Sequence, residues 1–411
     1  MSDGQIRIVS RDDLERGRWS VFFRFFLAIP HLLVVGAWGL AVLFMAVINW
    51  FAILFTRRPV PGNMTVHYLR YLTQVDAYLN LAAQPFPGFG GGGSPYAVDL
   101  EFPVPQEQNR WKTAFRLVLA IPAVLLGTAF GAAGVQAGGG SARVSLGLIA
   151  GAAFLGWFAS LVRGRMPDGL RDLIIYGVGY SVQVAAYLLL LTDRYPNSDP
   201  LDPDYGAPAR TDHPVLITSS DDLRRSRLTV FFRLLLWLPH LVWLILWGIV
   251  TMFAVVANWF VTLFAGLPAE GLHRFTARYL RYWTHTNAFL YLVSNPFPGF
   301  GGREGSYPVD LEIAPPARQN RWKTGFRVVL VVPALIIGGA LANVLSLVAV
   351  FGWFTGVFIG RMPPGLRNLG VFALRYQAQV AAYFWLLTDQ YPHSGPTLEL
   401  RDEAAAAPQA A

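Results

Sequence analysis

Few residues in this chain combine a reactive type with a setting that would give it work to do. His31 and His240 each follow a proline within a long apolar run. An ionisable ring inside hydrocarbon is costly, and its usual uses are proton transfer or substrate contact. The competing role is structural: a ring nitrogen satisfies the carbonyl that the proline frees, or the ring rests at headgroup level. Neither histidine has a carboxylate nearby in sequence, which favours the structural role. Asn49 and Asn258 precede a Trp-Phe pair. An amide in a membrane helix typically bonds across to a neighbouring helix for about 0.6–2 kcal/mol. These two are expected to glue their segments in that way, while Gly156 and Gly352 at the matching positions permit close helix approach. Asp76 corresponds to Asn287, so a coupling-ion site using both is not expected. Arg70, six residues upstream of Asp76, falls on another helical face, and an arginine of another segment is the expected partner.

Several chemistries are excluded outright. The chain has no cysteine, hence no disulfide, thiol catalysis or cysteine–zinc site. It contains no His-Glu-x-x-His, nucleophile elbow or carboxylate cluster. The glycine-rich run at 85–93 lacks the lysine and Ser/Thr of a phosphate loop, and it joins a helix to a strand, the reverse of the required order. No catalytic, cofactor or metal site is therefore expected.

The elements holding these residues recur four times. Arg18-Trp19-Ser20-Val21-Phe22-Phe23-Arg24 is answered by Arg227-Leu228-Thr229-Val230-Phe231-Phe232-Arg233. Arg110-Trp111-Lys112-Thr113-Ala114-Phe115-Arg116 is answered by Arg321-Trp322-Lys323-Thr324-Gly325-Phe326-Arg327. A proline stands six residues after each second arginine (Pro30, Pro122, Pro239, Pro333), and a Trp-Phe pair follows at Trp50, Trp157, Trp259 and Trp353. Each unit closes on an aromatic-bearing helix and a proline. The expected organisation is repeat one at 1–93, repeat two at 94–196, a linker at 197–213, repeat three at 214–302, repeat four at 303–396 and a disordered tail at 397–411. Repeats one and three are sisters, as are two and four, so a two-unit ancestor that duplicated is the simplest history.

The arginine-rich lead-in, Leu-Ala-Ile-Pro-His (27–31), Trp-Phe-Ala-Ile-Leu-Phe-Thr (50–56) and Ala-Ala-Tyr-Leu-Leu-Leu-Leu-Thr-Asp-Arg-Tyr-Pro (185–196) resemble a bacterial membrane-protein family, the domain-of-unknown-function family 4389 (DUF4389). The resemblance spans nearly the whole chain apart from linkers and tail. It implies a membrane location and carries no activity with it. Repeats two and four depart from the Pro-His pattern, with Ala123 and Ala334 after the proline.

Composition agrees with a bilayer. Apolar residues make up 54% and charged residues 14%, against about 25% charged in a soluble domain, too few to coat a water-facing globule. The net charge of +8 comes almost wholly from arginines at the ends of apolar runs. That arrangement suits the positive-inside rule rather than nucleic-acid binding. Asp12, Asp13 and Glu15 before the first apolar run argue against a cleavable signal. The expected location is a bacterial inner membrane, multi-pass, with the lipid bilayer as partner, together with other membrane proteins or a second copy, and no nucleic acid.

Each unit reads as a short alternating strand, a long apolar segment and a second helix. The four strands are expected to pool into one small sheet. The 38 residues from Trp19 to Thr56 exceed the roughly 20 of one crossing. The segment reads as a kinked or hairpin transmembrane element turning near Gly36–Gly39, Gly248 and Gly338–Gly339, or as an amphipathic interfacial helix followed by one tilted crossing. In repeat two, 15 additional residues near 131–143 mark the turn. Second helices bearing His67, Arg70 and Gln74 on one face lie in the interface or present that face to protein. Two crossings per repeat would keep every strand and basic loop on one side, with the N-terminus, linker and C-terminus cytoplasmic. The fold class is thus an all-α membrane protein with a short strand leading each unit. Its expected function is a non-enzymatic scaffold or accessory subunit, ahead of a small-solute transporter or channel, and then a lipid-acting enzyme.

Overall fold

The computed structural model describes residues 6–91, 96–103, 106–131, 134–138, 141–145, 147–205 and 213–398. Residues 206–212 of the linker and the tail from 399 lie outside them, as do 92–95 of the glycine-rich connection. The chain divides into two units near residue 208, each holding two repeats.

The first unit runs β1 (Arg7–Ser10), α1 (Arg18–Thr56), α2 (Met64–Leu79), β2 (Val98–Glu101), α3 (Arg110–Ala114), α4 (Arg116–Gly131), β3 (Gly134–Gly138), β4 (Ser141–Ser145), α5 (Leu148–Arg163) and α6 (Asp168–Leu188). The second runs β5 (Val215–Ser219), α7 (Arg227–Phe231), α8 (Arg233–Ala265), α9 (Glu270–Leu290), β6 (Val309–Ile313), α10 (Arg321–Gly325), α11 (Arg327–Leu330), α12 (Val332–Phe358) and α13 (Pro364–Phe384).

The long apolar segments do not turn where the glycines suggested. Gly36 and Gly39 lie inside the uninterrupted α1, Gly248 inside α8, and Gly338 and Gly339 inside α12. Two of these glycines serve close approach instead. A Cβ on Gly39 would stand 2.9 Å from the Tyr68 hydroxyl, and one on Gly248 2.7 Å from that of Tyr279. Along α1 the buried positions Val21, Arg24, Ala28, His31, Val42, Asn49 and Ile53 face the rest of the unit. Around the rest of the helix, large apolar side chains are exposed from Trp19 to Phe55.

Repeat two does interrupt its long helix, but with a β-hairpin. β3 pairs antiparallel with β4 from Gly134↔Ser145 to Gly138↔Ser141. The helix resumes where it stopped. Gly177 of α6 faces both Phe130, at the end of α4, and Ile149, at the start of α5.

The leading strands pair by twos rather than pooling into one sheet. β1 pairs antiparallel with β2, Ile8 opposite Leu100, and β5 with β6, Ile217 opposite Leu311. Each pair turns Ile8, Val98 and Leu100, or Val215, Ile217, Val309 and Leu311, toward the second helices, as the alternation requires.

Within a unit the two repeats run in opposite directions. The start of α1 meets the end of α5: Arg16 N donates to Gly164 O at 2.9 Å, Met166 N to Leu14 O at 2.9 Å, and Trp157 Nε1 to Val21 O at 3.2 Å. The end of α1 meets the start of α3: Gln108 N donates to Arg57 O at 2.9 Å and Trp50 Nε1 to Thr113 O at 3.0 Å. Val21 and Thr113 are equivalent positions, so the contacts are reciprocal about an approximate two-fold axis. The second unit repeats the scheme, with Arg225 N to Gly360 O at 2.9 Å, Gln319 N to Gly266 O at 2.9 Å, and Trp259 Nε1 to Thr324 O at 2.9 Å. The polar helices α2 and α6, or α9 and α13, pack together inside, with the apolar helices outside and the strand pair across the inner helices. This resolves the polar second helices: in α9, His273, Thr276, Arg281, Thr284, His285 and Thr286 are all buried in protein.

Candidate functional site

His31 and His240 sit in matching aromatic boxes. The Nδ1 of His31 is 2.6 Å from the Tyr71 hydroxyl, and the ring lies 4.5 Å from each of Phe86 and Phe89. The Nδ1 of His240 is 2.7 Å from the Tyr282 hydroxyl, with Phe297 and Phe300 each at 4.5 Å. The Pro-Phe-Pro-Gly-Phe-Gly loops therefore act as lids that lay their two phenylalanines on the histidine. Both rings are fully buried, and neither Nε2 has a hydrogen-bond partner among the described residues.

Comparing repeats assigns the contact a role. The tyrosines equivalent to Tyr71 and Tyr282 are Tyr180 and Tyr376, whose hydroxyls donate at 3.3 Å to Ala123 O and Ala334 O. In all four repeats a tyrosine on the inner helix thus holds the residue after the proline, through its side chain where that is histidine and through its carbonyl where it is alanine. The histidine supports a helix–helix contact, and its ring contacts among the described residues are to tyrosine and phenylalanine.

The asparagines also act within their own repeat. Asn49 Oδ1 accepts from Val60 N at 2.8 Å and Asn258 Oδ1 from Ala269 N at 3.0 Å, which pins the loop leading into α2 and α9 rather than a neighbouring repeat. The same place in repeats two and four is filled by Met166 and Met362, packed on Gly156 and Gly352. Asp76 is half-buried and accepts from Asn80 Nδ2 at 2.7 Å, not from an arginine. Burial pushes its carboxyl up to about 6, with the Asn80 bond opposing.

Two arrangements went unread in the sequence. The second arginine of every lead-in is buried and caps the inner helix of its own repeat. Arg24 donates to Tyr78 O at 2.6 Å and Ala83 O at 3.0 Å. Arg116 donates to Tyr187 O at 2.6 Å and Thr192 O at 2.7 Å. Arg233 bonds Phe289 O and Ser294 O, and Arg327 bonds Tyr383 O and Thr388 O. Each guanidinium also lies 4.3–4.5 Å from the ring of that first aromatic residue. Orphan carbonyls and the negative end of the helix dipole favour a cation there. The fourfold pairing of this arginine with an aromatic residue was the available signal.

The second is a buried cluster under β6. His285 Nε2 is 2.7 Å from Asp310 Oδ1, Arg281 Nε donates to Leu311 O at 2.9 Å, and Tyr307 stacks on His285. Burial raises the Asp310 carboxyl, but the bond and charge of His285 and the N–H groups of Gly305 and Leu311 outweigh it and hold it below the usual value. Gln74 stands in the place of His285 in repeat one. Asp310 is thus an anchor joining strand, loop and helix.

A cleft of about 680 Å³ lies between α8 and α9, walled by Trp243, Leu246, Trp247 and Phe275 and edged by Arg274 and Arg278.

Among the described residues three helices, α1, α8 and α12, are long and apolar enough to cross a membrane, and this arrangement of apolar helices around polar ones is consistent with a membrane protein. The chain belongs to the family described as Domain of unknown function (DUF4389), whose model matches it in tandem at residues 18–89, 142–198, 227–301 and 321–394. No curated protein and no solved structure matches it.

Proposed function

We propose that this protein is a non-enzymatic scaffold embedded in a bacterial inner membrane, with bilayer lipid as its immediate partner and other membrane proteins or a second copy as further ones. One observation carries the reading. The outer helices present apolar side chains all round, while the polar groups along their buried stripe (Arg24, His31 and Asn49 in α1) are taken up by contacts inside the fold. Lipid covers an apolar surface of that extent, and polar groups already committed to holding helices together are poorly placed to turn over a substrate. The arginine-edged cleft between α8 and α9 suits an acyl chain with an anionic headgroup.

The test is alkaline extraction of membranes, followed by crosslinking in place and identification of what is captured. Retention in the extracted membrane together with reproducible crosslinks to lipid or membrane proteins supports the reading. Saturable flux of a labelled solute by the purified chain in sealed vesicles overturns it.

A further inference from the structure

We infer that each unit lies flat in the membrane, its outer helices in the hydrocarbon of a single leaflet, its inner helices toward the headgroups and its strand pair in water. The inference rests on the membrane reading above and replaces repeated crossing with in-plane embedding.

Length is the first ground. α1 has 39 residues and α8 has 33. At 1.5 Å per residue α1 is about 58 Å long, against a hydrocarbon core of about 30 Å. Its exposed apolar side chains run from Trp19 to Phe55 with no charged break that would delimit a shorter span. To hide that length by tilting, α1 would have to lean about 60°, beyond the 0–40° range of spanning helices. A helix lying in the plane has no such limit.

The strand pair is the second. β1 and β2 rest on the middle of the inner helices: Arg70 of α2 donates to Leu100 O at 3.2 Å and pairs with Asp99 at 2.9 Å, while Ile8 lies against Gly179 of α6. If the helix axes crossed the bilayer, this two-stranded sheet would sit at the centre of the hydrocarbon, with open edges and with Arg7 and Glu101 exposed. Lipid-exposed sheet edges do not occur there, because unpaired backbone groups have no water to bond. Turning the axes into the membrane plane puts the sheet in water without moving any atom of the unit.

Charge is the third. Exposed Arg18, Arg163 and Arg165 gather at one end of the outer helices, and Arg57, Arg58, Arg110 and Lys112 at the other. Arg227 and Arg361, then Arg321 and Lys323, do the same in the second unit. A crossing arrangement would load both faces of the membrane with cations, against the positive-inside bias. In-plane embedding sets both groups at one headgroup layer, complementary to anionic lipid.

Glu15 precedes the start of α1, and Glu107 stands beside its end, 2.7 Å from Arg58. In the otherwise cysteine-free full chain, Glu15→Cys and Glu107→Cys are labelled separately with a membrane-impermeant maleimide, in right-side-out and inside-out vesicles. In-plane embedding expects both to react from the same face, with rates within about threefold of each other. Reaction from opposite faces, with a tenfold or greater preference at each site, overturns the inference and leaves the membrane reading intact. Release of the unlabelled protein by alkaline extraction overturns the membrane reading itself. Oriented circular dichroism of the unmodified chain in stacked bilayers needs no variant. Helix axes parallel to the bilayer support the inference, and axes along the normal overturn it.

Discussion

Arg116 offers the sharpest test of what holds a repeat together. Its guanidinium is 2% exposed and donates to Tyr187 O, to Thr192 O and, at 3.0 Å, to Gln108 Oε1, with the Tyr187 ring 4.5 Å away. Each hydrogen bond to a charged group is worth about 1.5–3 kcal/mol net. The three share one cation whose own desolvation opposes them, so a full sum would overcount. Arg116→Met strips the charged donor from the Tyr187 carbonyl, which keeps only a 3.3 Å contact from Leu190 N, and from Thr192 O and Gln108 Oε1, and a loss of about 3–5 kcal/mol follows from exposing that defect in a buried network. For a unit of this size, about 2–4 °C per kcal/mol translates this into a midpoint lower by roughly 6–20 °C. Arg116→Lys keeps the charge but loses the planar fork, so it should fall between the two. The assay is thermal unfolding of the protein in lipid nanodiscs, followed by intrinsic fluorescence. If lysine restored full stability, or methionine cost under 2 °C, the arginine would be serving only as a topological charge and the capping argument would fail.

Other expectations follow from single contacts. Leu311 is fully buried and Glu312 exposed on the same strand, so Leu311→Asp should lower the unfolding midpoint far more than Glu312→Leu, and equal midpoints would refute a packed sheet. The Asp76 carboxyl is raised from 3.8 to about 6 in the fold. The folded state then holds this proton more tightly, and stability falls as pH rises from about 4 to about 6. Asp76→Asn, the residue found at 287, should abolish that fall and gain about 1–2 kcal/mol at pH 7.5, measured by denaturation across pH. Asn258→Ala strands the Ala269 N–H and should cost about 1–3 kcal/mol, visible as faster proteolysis of the loop before α9.

The fourfold repeat, its pairing into sisters, the helical class and the inward apolar face of the four leading strands could all be read from residue order, because each is a local spacing or alternation. The direction of one repeat relative to the next could not. Nothing in the spacing of Trp50 or Trp157 reveals that each reaches the opposite end of the other repeat's outer helix. The role of Gly39 and Gly248 could not be read, because a glycine that ends a helix and one that admits a tyrosine hydroxyl look alike in an apolar run. The arginines can be placed at the ends of apolar runs from residue order, but not that Arg18 lies at the surface while Arg24, six residues on, is buried. The Pro-His pair occurs in two repeats and favours a structural histidine without naming its partner. The tyrosine that recurs in all four was the better guide, since a contact kept while its partner changes from side chain to carbonyl is a packing requirement.

The hairpin of repeat two extends the same reasoning to a deletion. Repeat four carries Leu341 and Leu345 four residues apart in the unbroken α12, both fully buried. Their counterparts are Phe130 and Ile149, which converge on Gly177 although the β-hairpin separates them in sequence. Removing residues 132–146 joins Gly131 to Gly147 and restores the spacing of four between Phe130 and Ile149. The deleted strands pair with each other, so the helix loses no ladder partner by their removal. The junction gains a turn of helix at the price of two adjacent glycines, each about 0.5–1 kcal/mol worse than alanine in a helix. Gly131→Ala, matching Ala342, recovers one of them. The deletion with this substitution should fold, stay in alkali-extracted membranes and unfold within a few degrees of the full chain. A misfolded or extractable product would mean that α4 and α5 are not two halves of one helix, and that the hairpin is required to set their angle.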